Sequence, residues 1–181
     1  MILHKAVVKS PVGRLILVAK DDAVVVLAFG EDDHNARRWL ERRFGEFEMK
    51  AHRDPAGAAS ALRAYFKGDL AAIDRVKVDT GGTEFQQAVW AELRRIPAGS
   101  TISYAGLAAR VGRPTAVRAV GAANGGNPVA VIVPCHRVIA ADGTLCGYGG
   151  GLDRKRWLLA HEKALPAPPA GSHGPRQSSL F

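Results

Sequence analysis

Cys135 is the residue in this sequence best placed to do chemistry. It follows Pro134 and precedes His136 and Arg137. A thiolate is a soft nucleophile, and a thiol ionises more readily beside positive charge. His136 and Arg137 are expected to supply that charge. Adjacent side chains on a strand or helix do not face each other, so a direct Cys135–His136 hydrogen bond is awkward. A bridging water is the natural link. The imidazole then needs an acid to orient it, and Glu162, on the last helix, is the candidate. A glycine-rich stretch at 147–151, interrupted by Tyr148, follows soon after and suits a pocket for a small molecule or a base. A cysteine after an apolar run is ordinarily core packing. Here its neighbours leave two active readings beside that one: a group-transfer nucleophile, or a cysteine hydrolase built on Cys135, His136 and Glu162.

The elements around this cluster suggest a partner. The chain has 181 residues and is 47% hydrophobic, enough for a sizeable core. Its 25 basic and 17 acidic side chains give a formal charge of +8. Such an excess points to a polyanion, most commonly nucleic acid. The excess sits mainly in residues 80–165, with 10 basic and 5 acidic side chains, against 14 and 12 in residues 1–79. The only cysteines, Cys135 and Cys146, cannot make a disulfide framework or a four-cysteine zinc site. No metal site and no cofactor are expected. There is no signal-peptide pattern at the start, and no run reaches the ~18 apolar residues of a membrane span. The expected location is the cytoplasm, associated with the nucleoid if the chain binds DNA, and a monomer is expected.

Short β-branched runs split by turn signals predict strands through residue 29, then helices over 35–44 and 56–66 and a strand over 72–78. Trp39 and Phe44 are expected to face inward. Thr80-Gly81-Gly82 marks a boundary, giving domains 1–79 and 80–165 and a Pro-, Gly- and Ser-rich disordered tail over 166–181. Thr83 and Gln86 form a capping-box pattern before a helix with Phe85, Val89, Leu93 and Ile96 at helical spacing. Ser103 should cap a short helix from 104 to 111. After the Gly112-Arg113-Pro114 turn, Thr115 should start another, which together make a helix-turn-helix. A short strand over 129–133 and a last helix over 153–162 complete the α+β reading. On charge and helix-turn-helix alone, a DNA-binding regulator without covalent chemistry remains an alternative.

The stretch from Arg118 through Asn127-Pro128 and Pro134-Cys135-His136-Arg137 to Val138-Ile139 closely resembles the core of the O6-alkylguanine-DNA alkyltransferases. So do Thr83-Glu84-Phe85-Gln86, Ser103-Tyr104, the loop Gly147-Tyr148-Gly149-Gly150-Gly151, and the stretch Trp157 to Glu162. The resemblance implies a ribonuclease-H-like N-terminal α/β domain and a winged-helix-like C-terminal domain. It implies a partner, double-stranded DNA carrying O6-alkylguanine, with O4-alkylthymine as a further substrate. Cys135 would take the alkyl group irreversibly and be consumed. Glu162 and His136 would hold a water against the thiol, and Tyr104 would donate toward N3 of the leaving guanine. The recognition helix, with Ala116, Val117, Arg118 and Ala119, would enter the minor groove with Arg118 as the finger replacing the flipped base. Ser103, Tyr104 and Thr115 would also face DNA.

By the same resemblance, Asn127 is the hinge to the active-site segment. Val138, Leu145, Tyr148, Gly149 and Gly150 would line the base pocket. The Cys135 and Val138 carbonyls would accept from the exocyclic amine, and the Gly149 amide would donate to O6. Some relatives bind zinc in the N-terminal domain, but residues 1–79 hold no cysteine and only His4, His34 and His52. Gln177, Leu180 and Phe181, in the closing Gln-x-x-Leu-Phe, resemble the peptide by which bacterial repair proteins dock on the polymerase sliding clamp.

Overall fold

The computed structural model describes residues 1–30 and 34–165. Gln177, Leu180 and Phe181 therefore lie outside the described residues. Three antiparallel strands open the chain: β1 (Ile2–Ser10), β2 (Gly13–Lys20) and β3 (Ala23–Phe29). The β1–β2 turn is closed by Ser10 Oγ, which donates to the Gly13 carbonyl at 2.6 Å. After α1 (His34–Phe44), β4 (Glu48–Ala51) joins β1 in parallel, giving the sheet order β3-β2-β1-β4.

The central strands lack alternation because both faces of the sheet are covered. Leu15 and Leu17 of β2 enter the main core, which they share with Leu62 and Tyr65 of α2 (Ala58–Phe66). Ile16 and Val18, pointing the other way, pack with Leu40 of α1. Trp39 and Phe44 lie against that second cluster, as expected of them.

The C-terminal half is mostly helical. In α3 (Glu84–Leu93) the capping box is present: Thr83 Oγ1 accepts from the Gln86 amide and Gln86 Oε1 accepts from the Thr83 amide. Ser103 caps α4 (Tyr104–Arg110) by accepting from the Gly106 amide at 3.0 Å. Gly112, at φ 72°, takes the turn into α5 (Val117–Gly125). Trp90 Nε1 donates to the Ala123 carbonyl at 2.8 Å and so ties α3 to α5. Two short strands, β5 (Ile102–Ser103) and β6 (Val138–Ile139), pair in parallel, and α6 (Leu152–His161) closes the described chain. One hydrophobic core contains Leu27, Leu62 and Ile73 from the first half and Leu93, Ile132 and Leu158 from the second.

Four local expectations change. Residues 72–78 make a 3-10 turn, Ala72–Arg75, and only Val78 bridges β3, through Val24. The helix expected from 56 begins at Ala58, after a separate 3-10 turn at Pro55–Gly57. Thr115 lies in the turn, and α5 starts two residues later. Residues 129–133 form no strand. Val129 bridges Leu27, and then the chain folds on itself: the Ile132 amide donates to Ala130 and the Val133 amide to Val129. Val131 takes φ 68° in this turn, a conformation that costs a β-branched residue on the order of 1–3 kcal/mol. Docking against β3 overrides the strand propensity of the segment.

Candidate active site

Cys135 is delivered by turns rather than by a strand. The Cys135 amide donates back to the Val133 carbonyl at 2.8 Å across Pro134, whose φ of −82° and ψ of 64° make an inverse γ-turn. A 3-10 turn, Cys135–Arg137, follows and buries all three side chains. The path is held by two asparagines, Asn124 near the end of α5 and Asn127 just beyond it. Asn127 Nδ2 donates to the Val133 carbonyl at 2.8 Å, and Asn127 Oδ1 accepts from the Val129 amide at 3.0 Å. The Asn127 side chain also favours the ionised form of the Cys135 thiol. Asn124 Nδ2 lies 3.4 Å from the Cys135 carbonyl.

Behind the thiol is a buried ionic network. His136 Nε2 is 2.9 Å from Glu162 Oε1. Arg137 grips the same carboxylate twice, Nε to Oε2 at 2.9 Å and Nη2 to Oε1 at 2.8 Å. Its Nη1 donates to the Ile96 carbonyl at 2.5 Å. Tyr65, from α2, donates to Glu162 Oε1 at 2.7 Å. Burial alone would raise the Glu162 carboxyl. The hydrogen bonds from His136 and Arg137, with their charge, hold it well below the usual carboxylate range. Burial pushes His136 below its ordinary value, against the pull of Glu162. A neutral imidazole donating through Nε2 leaves Nδ1 as an acceptor. That Nδ1 is buried and has no partner.

The thiol does not meet the positive charge expected of His136 and Arg137. The first is held neutral and the second is consumed by Glu162. Burial raises Cys135, opposed by the Asn127 side chain and by the charge of Lys155. Lys155, on α6, is fully buried. Its Nζ donates to the Val138 carbonyl at 2.6 Å and to the Cys146 carbonyl at 2.9 Å, pinning the pocket loop to β6. Lys155 is a functional residue that sequence reasoning misses. Its spacing to Leu158, Leu159 and Glu162 puts it on the buried face of α6, and that signal could have found it.

Tyr104 opens α4 at the mouth of the site. Its hydroxyl lies 3.4 Å from the Cys146 carbonyl and 4.0 Å from the exposed Cys146 Sγ. Burial and Cys146 push the phenol up to about 12, so it remains a proton donor at neutral pH. The ring of Tyr104 faces Gly121 on α5. Arg118 and Ala119 are exposed, Ala116 and Val117 half-buried, Ser103 half-buried and Thr115 exposed. Among the described residues no side chain or carbonyl holds the Arg118 guanidinium.

The loop expected to line the base pocket is packed from one side, against Phe29. Leu145 and Tyr148 are half-buried, Gly149 is exposed, and the Tyr148 hydroxyl is buried without a partner. A Cβ at Gly149 would meet nothing within 4 Å, whereas one at Gly150 would strike the Phe29 ring at 2.5 Å. Phe29, from β3, meets Tyr148 edge-on with centroids 5.9 Å apart. Arg154 lies over Phe29 and donates to the Val12 carbonyl at 2.8 Å. The N-terminal sheet thus braces the pocket loop. The Cys135 carbonyl already accepts from the Val138 amide and from Asn124. An exocyclic amine would have to displace the Asn124 amide there.

Fold and site define a class: a small α+β protein whose helix-turn-helix stands over a buried cysteine backed by a His–Glu pair. Two family models match the chain. The 6-O-methylguanine DNA methyltransferase ribonuclease-like domain matches residues 3–80, and the DNA binding domain of the same family matches residues 84–164. The methylated-DNA–protein-cysteine methyltransferase of Mycolicibacterium paratuberculosis is 44% identical over 176 residues, 96% of each chain. That of Salmonella typhimurium is 54% identical over 126 residues, 70% of this chain and 74% of the relative. The crystal structure of Mycobacterium tuberculosis O6-methylguanine methyltransferase matches with TM-score 0.74 and 42% identity, covering 92% of this chain and 96% of that one. A second structure from that organism, in complex with DNA, matches with TM-score 0.72 and 40% identity over 91% and 94%. This chain belongs to the 6-O-methylguanine DNA methyltransferase family.

Proposed function

We propose that this protein repairs DNA by moving the alkyl group of O6-alkylguanine onto its own Cys135, once per molecule. The observation that carries the reading is the unpartnered, buried Nδ1 of His136, backed by an ionised Glu162, beside a buried thiol. A water between thiol and Nδ1 would carry the Cys135 proton to the imidazole. The sulfur then attacks the alkyl carbon as the C–O6 bond breaks. The charge developing on the purine is met by the Tyr104 hydroxyl at N3. A thioether has no ready leaving group, so the protein ends alkylated.

A base inside duplex DNA cannot reach this pocket and must be rotated out, at a cost of a few kcal/mol. The unheld, exposed Arg118 on α5 supports its role as the finger that fills the vacated space. Incubation with a duplex carrying O6-methylguanine should add one methylene unit, about 14 Da, at Cys135 by intact mass and peptide mapping. DNA binding without an adduct would instead make this a regulator. No helix among the described residues is long and apolar enough to cross a membrane. A protein of this activity works at the nucleoid. We further propose that Gln177, Leu180 and Phe181 dock on the sliding clamp. A tail peptide should bind the clamp, and its Leu180→Ala, Phe181→Ala version should not.

A further inference from the structure

The N-terminal domain reaches the chemistry at one polar atom. Tyr65 is fully buried in α2, and its hydroxyl donates to Glu162 Oε1 across 97 positions of sequence. That oxygen also serves His136 Nε2 and Arg137 Nη2. Three donors therefore compete for one carboxylate oxygen, while Oε2 takes Arg137 Nε. Tyr65 is fixed from two sides. Its carbonyl is 2.8 Å from His161 Nε2, and its ring packs edge-on against Phe66 and His161. A buried phenol held this firmly sets where the carboxylate sits and how much of its negative charge the imidazole meets.

We propose that Tyr65 is a positioning residue for the Cys135–His136–Glu162 relay: its hydroxyl draws charge from Glu162 and keeps His136 neutral and able to take the thiol proton. The direction follows from competition at Oε1. A donor on the carboxylate weakens the stabilisation that the carboxylate gives to an imidazolium. The other groups facing this relay are fixed. Arg137 neutralises Glu162, Lys155 adds repulsion from α6, and burial opposes the imidazolium. The Tyr148 phenol, from the pocket loop, lies within electrostatic reach of both Glu162 and Cys135. The Tyr65 hydroxyl itself is held far above the ordinary tyrosine range by burial and by Glu162, so it stays a donor throughout.

The proposal rests on the reading of His136 as proton acceptor, so the test separates the two. In Tyr65→Phe, the His136 titration followed by nitrogen-detected imidazole NMR should move up by about half to one pH unit. The acid limb of alkyl transfer should move up with it, leaving the rate above that limb within about threefold of the parent. Placing 3-fluorotyrosine at position 65 strengthens the donor while keeping shape, and should move both downward. This second variant stands even if the phenylalanine variant folds poorly. An unchanged His136 titration in the fluorotyrosine protein overturns the proposal. Shifted titration with an unshifted rate profile overturns instead the role of His136 as acceptor.

Discussion

Two sets of cations in the C-terminal half look alike in sequence and do opposite work. Arg137, Arg154 and Lys155 are buried, aimed at a carboxylate or at backbone carbonyls. Arg110, Arg113 and Arg118 are exposed around the helix-turn-helix. The inner set shapes the pocket and the relay, and the outer set is free to meet phosphates and the base stack. Net charge counts both equally. The excess that first suggested a polyanion partner is therefore larger than the charge available to bind one.

The largest effect should come from the inner set. Arg137→Met leaves Glu162 buried with no cation, a change that typically costs about 3–5 kcal/mol. We expect a sharply lowered unfolding midpoint and loss of transfer by at least about a hundredfold. Stability and transfer near the parent's would break the division between the sets. Arg118→Ala should leave the fold untouched. On duplex DNA it should slow transfer about ten- to a hundredfold, since the flipped base loses its replacement, and it should spare transfer from free O6-benzylguanine. Equal losses on both substrates would move Arg118 out of the finger role.

Lys155→Met strands two carbonyls and should cost about 1–3 kcal/mol in denaturant unfolding, with slower transfer from the less activated thiol. Acid should act on the buried pair that the inner set surrounds. His136 and Glu162 both titrate below their ordinary values of 6.5 and 4.5 in the folded protein. The unfolded chain therefore binds protons first, so stability should fall as pH drops below 6.5 and again below 4.5. A flat thermal midpoint between pH 7 and 4 would contradict the buried neutral histidine. The smallest effects belong to Arg110→Ala and Arg113→Ala. Each should lower the salt slope of DNA binding by about 0.9 for every phosphate it no longer neutralises, with transfer to a free base unchanged. Gly149→Ser should also be mild. The space there supports acceptance of O6-benzyl groups at a rate within about tenfold of O6-methyl.

Signals carried by neighbours along the chain were legible in the sequence. The capping box at Thr83, the Ser103 cap, the turn at Gly112 and the Cys135–His136 pair could all be placed, because each depends on local spacing or on one local motif, and Glu162 is reached only as the acid available on the last helix. What could not be read depends on contacts between distant positions. Tyr65 reaches Glu162 from a separate domain, and nothing near residue 65 announces it. Arg137 looks in sequence like a neighbour charging the thiol, and its true partner lies at the end of α6. Residues 129–133 carry every local mark of a strand, yet β3 pairs them only through Leu27, as a single bridge at Val129. The same limit hid Asn124, whose amide reaches the Cys135 carbonyl one helical turn before the expected hinge.

The turn that carries the chain to Cys135 has a further consequence during synthesis and refolding. Residues 129–133, Val-Ala-Val-Ile-Val, are apolar, uncharged and rich in β-branched side chains, the composition of segments that self-associate as stacked strands. In the native protein Val131 is forced into a tight turn that pure propensity would refuse. Before β3 is in place to receive it, this segment is an adhesive stretch. Pro128 and Pro134 bracket it on both sides, and each lacks the amide that a growing strand ladder requires. They act as gatekeepers: replacing both with alanine should raise light scattering during refolding from denaturant well before it alters the folded protein's stability.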